Sequence, residues 1–272
     1  MTEQTANHDE QCPFVSVVVP VYNGRRTIAE CIEALLAQDY PADRYEIIVV
    51  DNNSTDGTPD IVAQYPVTLL YEREIQTSYA ARNRGILHAR GEIVAFTDAD
   101  CIAEPSWLSE LLKPFEDPRV AGVGGAVLDY APTSLVERFL CARRPFGDYH
   151  LQNVFLPILL TGCTAYRKDC LVAVNMFNAN LYTAADVDLS WRLQLQTGLE
   201  VRYAPQARVF HKHRATLKGM FLQQRRAGFS QILTTCMYRG RIKRVYTPMD
   251  QLLTIGRQVL ALATYVRSFC YR

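Results

Sequence analysis

The chain has 272 residues, enough to bury one large core or one domain with an extension. With 49 % hydrophobic and 21 % charged residues it is no disordered chain, and its composition is that of a globular protein. The formal net charge of +1 hides an asymmetry: residues 1–130 carry 21 acids against 9 bases, residues 131–272 carry 7 against 20.

Met1 to Cys12 is polar and acidic, without an apolar run, so residues 1–13 are expected to be a flexible segment, neither signal peptide nor anchor. A cytoplasmic location follows as an expectation. The eight cysteines form no C-x-x-C pair and no compact zinc pattern, so reduced, buried thiols are expected.

Phe14 to Pro20 is apolar and rich in β-branched residues; it predicts a buried strand that Pro20 ends, because proline cannot donate to a ladder. Thr27 and Glu30 form a capping-box pattern opening a helix to about Ala37. Tyr45 to Asp51 predicts a second buried strand, followed by the turn formers Asn52 to Gly57. A helix is expected near Thr58 and Pro59, a strand over 67–71, a helix over 78–90 and a strand over 92–97. A helix over 106–114 and an apolar, Gly-rich run over 120–128 come next. This alternation predicts an α/β fold with a mostly parallel sheet covered by helices on both faces.

Residues 132–152 are mixed and predict a lid-like excursion, and 154–167 predict strand and site lining. Residues 184–197 predict a helix closed by Gly198, with Asp186 in its first turn, and 201–203 and 209–210 predict two short strands. Between 206 and 272 stand 13 bases and the single acid Asp250, a charge balance suited to nucleic acid, anionic lipid or a phosphorylated substrate. Leu252, Ile255, Val259, Leu262, Val266 and Phe269 recur at helical spacing and predict an amphipathic helix.

Sites in open α/β sheets gather beyond the carboxyl ends of strands. Three such ends carry acids or turn formers: Pro20 to Gly24, Asp51, and Asp98-Ala-Asp100. Two carboxylates leaving one strand can hold a hard divalent cation with coordination positions left for phosphate oxygens. An isolated Asp-x-Asp is more often solvated surface, but these two acids follow the buried run 93–97, where their repulsion calls for compensation.

Taken in order, Val18 to Asn23, Ile48 to Gly57, Ala81 to Gly85, Phe96 to Asp100 and Ala185 to Arg192 resemble family 2 glycosyltransferases over roughly residues 14–230. The resemblance implies a Rossmann-like A-type glycosyltransferase fold and inverting transfer of sugar from a nucleoside diphosphate sugar, with uridine favoured. It implies Pro20, Tyr22 and Asp51 around the base and ribose, Asp98 on the ribose or donor side, Asp100 on Mn²⁺ or Mg²⁺, and Arg82 and Asn83 toward the donor. Inversion in one displacement needs a base for the acceptor hydroxyl. In the family it is the aspartate of a Glu-Asp pair at a helix start; here the pair reads Ala185-Asp186, which assigns Asp186.

The other reading of Asp186 is a favourable charge at a helix N-terminus, and Asp188, expected to be structural in a regular first turn, is its rival. His211 stands between completing the metal site and a structural role, with His213 two residues on. Gly162 fits either a ligand-lined floor or a tight turn, and Trp191 and Arg192 either an acceptor pocket or core. The stretch Gln223 to Gly228 resembles a late helix of the family but has Ala227 where processive polymerases carry tryptophan, which favours addition of one or a few sugars.

The domain expectation is thus a catalytic unit over 14–240 and a basic extension over 241–272, peripheral to an anionic membrane or packed within the protein or a homo-oligomer. The acceptor is expected to be a hydroxyl of a glycan, a lipid-linked or a small molecule, with no nucleic-acid partner. A nicotinamide oxidoreductase is disfavoured because Val21 to Arg25 lacks G-x-G-x-x-G. A metal-dependent sugar nucleotidyltransferase and a non-catalytic scaffold binding anionic lipid or nucleic acid remain the alternatives.

Overall fold

The computed structural model describes residues 12–143, 155–213 and 216–241. In chain order these form β1 (Val15–Val21), α1 (Ile28–Leu36), β2 (Tyr45–Asp51), α2 (Thr58–Val62), β3 (Thr68–Tyr71), α3 (Ser78–His88), β4 (Ile93–Thr97) and β5 (Cys101–Ala103). There follow α4 (Trp107–Leu112), β6 (Val120–Asp129), α5 (Leu135–Arg143), β7 (Cys163–Arg167), α6 (Lys168–Ala173), α7 (Ala185–Thr197), β8 (Glu200–His211) and α8 (Leu217–Met237).

One eight-stranded sheet runs β3-β2-β1-β4-β7-β6-β8-β5. The first four strands are mutually parallel, as the alternation of strand and helix requires. Antiparallel β7 then joins β4 to β6, β8 lies parallel to β6, and β5 closes the edge antiparallel to β8. The sheet is therefore mixed beyond β4.

Strand periodicity divides the core into two layers. Val15, Val17, Val19, Ile47, Val49 and Ala95 pack with the buried residues of α1 and α4 on one face. Val18, Ile48, Val50, Val94 and Phe96 pack with α3, α6 and α7 on the other. Gly85 lets α3 close onto β1, since a Cβ there would lie 2.3 Å from Val18 Cγ1.

Three local expectations change. β1 runs past Pro20 to Val21. Val15 donates its N–H to Arg44 O and Val21 O accepts from Asn52 N–H, so odd residues face β2 and the missing Pro20 N–H faces the β4 side. There pairing has already stopped at Val18. The capping box is not formed: the Thr27 hydroxyl turns back to Gly24 O at 3.4 Å. The two short strands near the end are one, β8, whose pairing to β6 jumps from Gly125↔Ala204 to Ala126↔Arg208. The three extra residues, one of them Pro205, form a bulge that hides the strand's continuity from the sequence pattern.

Of the flexible segment expected over 1–13, Cys12 and Pro13 are held by Arg44 and Tyr40, whose side chains donate to their carbonyls, and residues 1–11 lie outside the described residues. Part of the excursion over 132–152 is helix α5, led in by residues 132–134; residues 144–152, and the amphipathic helix expected over 250–272, lie outside the described residues. Among the described residues no helix is long and apolar enough to cross a membrane.

Candidate active site

The carboxyl ends of β1, β2 and β4 open at one rim. After β1, Asn23 adopts a left-handed φ of 50°, which asparagine tolerates, and its Oδ1 accepts the Thr55 N–H at 2.8 Å. Asn23 N–H in turn donates to Ser54 Oγ at 2.8 Å and Gly24 N–H to Thr58 Oγ1 at 3.0 Å, locking the loops after β1 and β2 together. Asn52 fastens the second loop to the chain beyond β3 by donating to Glu72 O and Ile75 O, each at 3.0 Å.

Asp51 is buried beneath this rim. Its Oδ2 accepts the Ser54 N–H at 3.1 Å, while its buried Oδ1 has no hydrogen-bond partner among the described residues. A buried acceptor left bare is costly, and a ligand N–H or O–H would satisfy it. Tyr22 is 56 % exposed beside it, a ring face open to a base, whereas Pro20 is buried within β1.

The second cluster follows β4. Asp98 pairs with Arg82, which α3 presents from a buried position with 3 % of its side chain exposed. Asp100 precedes β5, and strand register explains its partner: Cys101 lies opposite His211 on β8, and His211 lies opposite Asp129 on β6. His211 Nε2 thereby comes 3.6 Å from Asp100 Oδ1, and Lys212 N–H donates to Asp100 O at 3.0 Å. Gly162 closes the floor, where a Cβ would stand 3.5 Å from Asp98 Oδ2.

Ligand atoms of Asp98, Asp100 and Cys101 lie within 4.8 Å of one another. Burial, and then the Asp100 and Asp98 charges, pushes the Cys101 thiol up, so the ionised donors are the carboxylates. Two carboxylates with an imidazole at hand suit Mn²⁺, and carboxylates with water suit Mg²⁺, so the residues present fit a divalent cation.

Asp186 enters from the start of α7. Ala184 just before the helix is buried with a left-handed φ of 67°, a strained setting for a residue with a Cβ. Asp186 Oδ1 accepts the Val187 N–H at 3.0 Å and the Tyr79 hydroxyl at 3.3 Å. Part of its surface stays accessible, but loss of hydration at this depth raises its pKa above the ordinary carboxylate value, against smaller lowering effects of the Val187 N–H and Arg82. The Arg82 guanidinium lies 5.7 Å over the Tyr79 ring, so one arginine stands between Asp98 and the Asp186 pocket.

Neighbouring candidates are engaged differently. Asp188 is buried, ion-paired to Arg192 at 2.8 Å, and accepts the Tyr238 hydroxyl at 2.7 Å. Arg192 also donates to Val174 O and Met176 O, and Trp191 is buried with its indole N–H on Leu156 O at 2.9 Å, so both build the core. Asn83 grips Phe177 through both its backbone groups, at 2.8 and 3.0 Å. His213 pairs with Asp129 at 2.6 Å. Ala185, where the family pattern has glutamate, is fully buried among apolar residues of the second core layer.

Sequence reasoning missed Tyr79, and the Asn83 clamp on Phe177. Both act across about a hundred positions, and neither has a spacing that marks it.

Residues 16–172 match the family described as Glycosyl transferase family 2. The chain is 33 % identical over 244 residues to glycosyltransferase AglE of Haloferax volcanii, covering 86 % of this chain and 78 % of that one. It is 28 % identical over 261 residues to the glucosyl-dolichyl phosphate glucuronosyltransferase of the same organism, covering 85 % and 76 %. Its fold matches the mannosyltransferase PcManGT of Pyrobaculum calidifontis, solved with GDP-Man and Mn²⁺, at a TM-score of 0.69 and 23 % identity over 97 % of this chain and 76 % of that one. With its A-type glycosyltransferase fold, the chain belongs to glycosyl transferase family 2 and is a glycosyltransferase.

Proposed function

We propose that the protein transfers a sugar, with inversion at the anomeric carbon, from a nucleoside diphosphate sugar to a hydroxyl of an acceptor. The observation that carries this reading is the placement of Arg82, which pairs with Asp98 on the donor side and reaches the Tyr79–Asp186 pocket on the other. One arginine thereby links two carboxylate groups of distinct environment, one for the donor side and one for the acceptor side of a single displacement.

Asp51 Oδ1 accepts a hydrogen bond from the base, and the exposed Tyr22 ring covers it; the family resemblance favours uridine. Asp98, Asp100 and His211 would hold a divalent cation, Mn²⁺ or Mg²⁺, which would supply positive charge against the departing diphosphate. Asp186 takes the proton of the acceptor hydroxyl while that oxygen bonds to the anomeric carbon and the bond to the diphosphate breaks. Its raised pKa makes it a better base than a solvated carboxylate, and the Tyr79 hydroxyl and Val187 N–H fix its orientation. Arg82 steadies Asp98, and Asn83 acts indirectly by holding the Phe177 segment, whose ring stacks on Tyr79 at 5.7 Å.

A lipid-linked acceptor is favoured, supported by the glucosyl-dolichyl phosphate in the name of one relative and by the 13 bases against one acid in residues 206–272. That charge also supports attachment of the 241–272 extension to the inner, anionic face of a membrane. The catalytic unit is assigned to residues 14–240.

The test is a thermal-shift screen of UDP- and GDP-sugars with Mn²⁺. A donor at 100 times its Kd stabilises by about 2.7 kcal/mol, which raises Tm by roughly 5–10 °C in a domain this size. No shift with any nucleotide sugar, in protein that is folded and metal-loaded, overturns the donor reading. A product with retained anomeric configuration overturns the single displacement.

A further inference from the structure

A second group of metal-ligating side chains lies outside the proposed catalytic set. Asp129 ends β6, Cys141 sits on α5, and His213 follows β8 by two residues; one ligand atom of each lies within 4.8 Å of the others. His213 has 1 % of its side chain exposed and its Nε2 stands 2.6 Å from Asp129 Oδ1. Cys141 is half-buried and not in a disulfide.

We propose that Asp129, Cys141 and His213 form a second metal site, separate from the Asp98–Asp100 cluster and selective for a borderline-soft ion such as Zn²⁺.

The chemistry of the three donors argues for this. A thiolate and an imidazole select Zn²⁺ over Mn²⁺ and Mg²⁺, which the carboxylate pair of the other site accepts. Zinc holds such ligands at roughly 2.0–2.3 Å, so tetrahedral donors stand about 3.3–3.8 Å apart. The present atoms need small side-chain movements to reach that spacing: the His213–Asp129 pair, at 2.6 Å, opens by less than about 1 Å, and the thiol already lies within 4.8 Å of both. Three protein ligands leave a fourth position for water.

The fold gives the site a purpose. Beyond this group, α5 is held by a small satellite cluster whose buried members are Phe139, Leu140 and Met220. An ion bound by Cys141, Asp129 and His213 ties α5 to the ends of β6 and β8. His213 is also in edge contact with His211, ring centroids 5.3 Å apart, and one residue separates them in the chain. Zinc at the second site therefore fixes the segment that presents His211 to the first. This positioning is independent of which donor or acceptor the enzyme uses.

The experiment uses full-length, metal-stripped protein carrying Asp100→Asn, so that the first site is weakened, and titrates Zn²⁺ against a chromophoric chelator. One Zn²⁺ per chain is expected, with affinity falling at least about 100-fold when Cys141→Ser or Asp129→Asn is added. Co²⁺ added to the unsubstituted protein supplies a readout that needs no variant: a thiolate-to-cobalt absorption band in the near ultraviolet, absent in Cys141→Ser. Failure of the Asp100→Asn protein to retain Zn²⁺, or a cobalt spectrum without the thiolate band, overturns the proposal. Equal Zn²⁺ affinity with and without Cys141 also overturns it, and leaves His213 and Asp129 as an ordinary ion pair. Because no arm measures transfer, these outcomes stand apart from success or failure of the transferase reading.

Discussion

Replacing Asp186 with asparagine separates the proposed base role from a helix-start role, because the two predict opposite signs. The asparagine side chain has nearly the shape of the carboxylate and keeps an oxygen for the Val187 N–H at 3.0 Å and the Tyr79 hydroxyl at 3.3 Å, so the pocket stays formed. What disappears is the basic oxygen, and turnover is expected to fall by about 10²–10⁴-fold, equal to about 2.7–5.4 kcal/mol in the activation barrier. Stability should move the other way. Burial raises the pKa of Asp186 in the folded state, so the folded protein holds that proton more tightly than the unfolded chain does. The stability linked to protonation is complete below the unfolded value of about 3.9 and is lost as pH rises through the raised folded value. At neutral pH the parent therefore carries a desolvated charge that the variant lacks, and the variant should be the more stable of the two. The assay measures nucleoside diphosphate release at saturating donor and acceptor from pH 4 to 9, with donor Kd and Tm beside it. Parent kcat should rise through an acid limb above the ordinary carboxylate range. Turnover of the variant within about fivefold of the parent, or an acid limb unchanged by the substitution, refutes the base assignment; a fall in Tm points to the helix-start role instead.

Asp188→Ala should behave as a structural lesion. It leaves the half-buried Arg192 without its carboxylate partner and removes the Tyr238 hydroxyl's acceptor, at about 3–5 kcal/mol, lowering Tm by roughly 6–20 °C while kcat per folded molecule holds; loss of turnover with unchanged Tm contradicts this. Gly85→Ala should destabilise by about 1–3 kcal/mol despite alanine's better helix propensity of about 1 kcal/mol, because the new methyl meets Val18. A urea midpoint equal to or above the parent's would show that α3 does not lie against β1 as described.

The parallel half of the fold was legible because β1, β4 and most of β2 are buried on both faces and read as apolar runs: the reading of Tyr45 to Asp51 coincides with β2. The mixed half was harder. β7 reverses direction between β4 and β6, which no local pattern announces, and the bulge at residues 205–207 made β8 look like two fragments. Thr27 and Glu30 have capping-box spacing, but Gly24 O took the threonine hydroxyl, so tertiary context overrode the local signal. At the site, Asp51, Asp98 and Asp100 could be picked out because strand ends are where chemistry gathers in such sheets. Arg82's ion pair with Asp98, Tyr79's bond to Asp186 and the alignment of His211 beside Asp100 depend on how distant segments meet. The Asp129–Cys141–His213 group was invisible for the same reason: it draws one residue each from β6, α5 and the end of β8.

The central claim is that Asp100, beside His211 and Asp98, holds the divalent cation on which transfer depends. Its most direct test is a Mn²⁺ titration of nucleotide-sugar turnover, with and without acceptor, in the parent and in Asp100→Asn at equal fold content. Turnover in the parent should saturate with Mn²⁺ and vanish with a chelator, while Asp100→Asn should need far more Mn²⁺ and reach at most about 1 % of the parent rate, a barrier increase of about 2.7 kcal/mol. Equal metal affinity and equal rate in the two proteins would contradict the account.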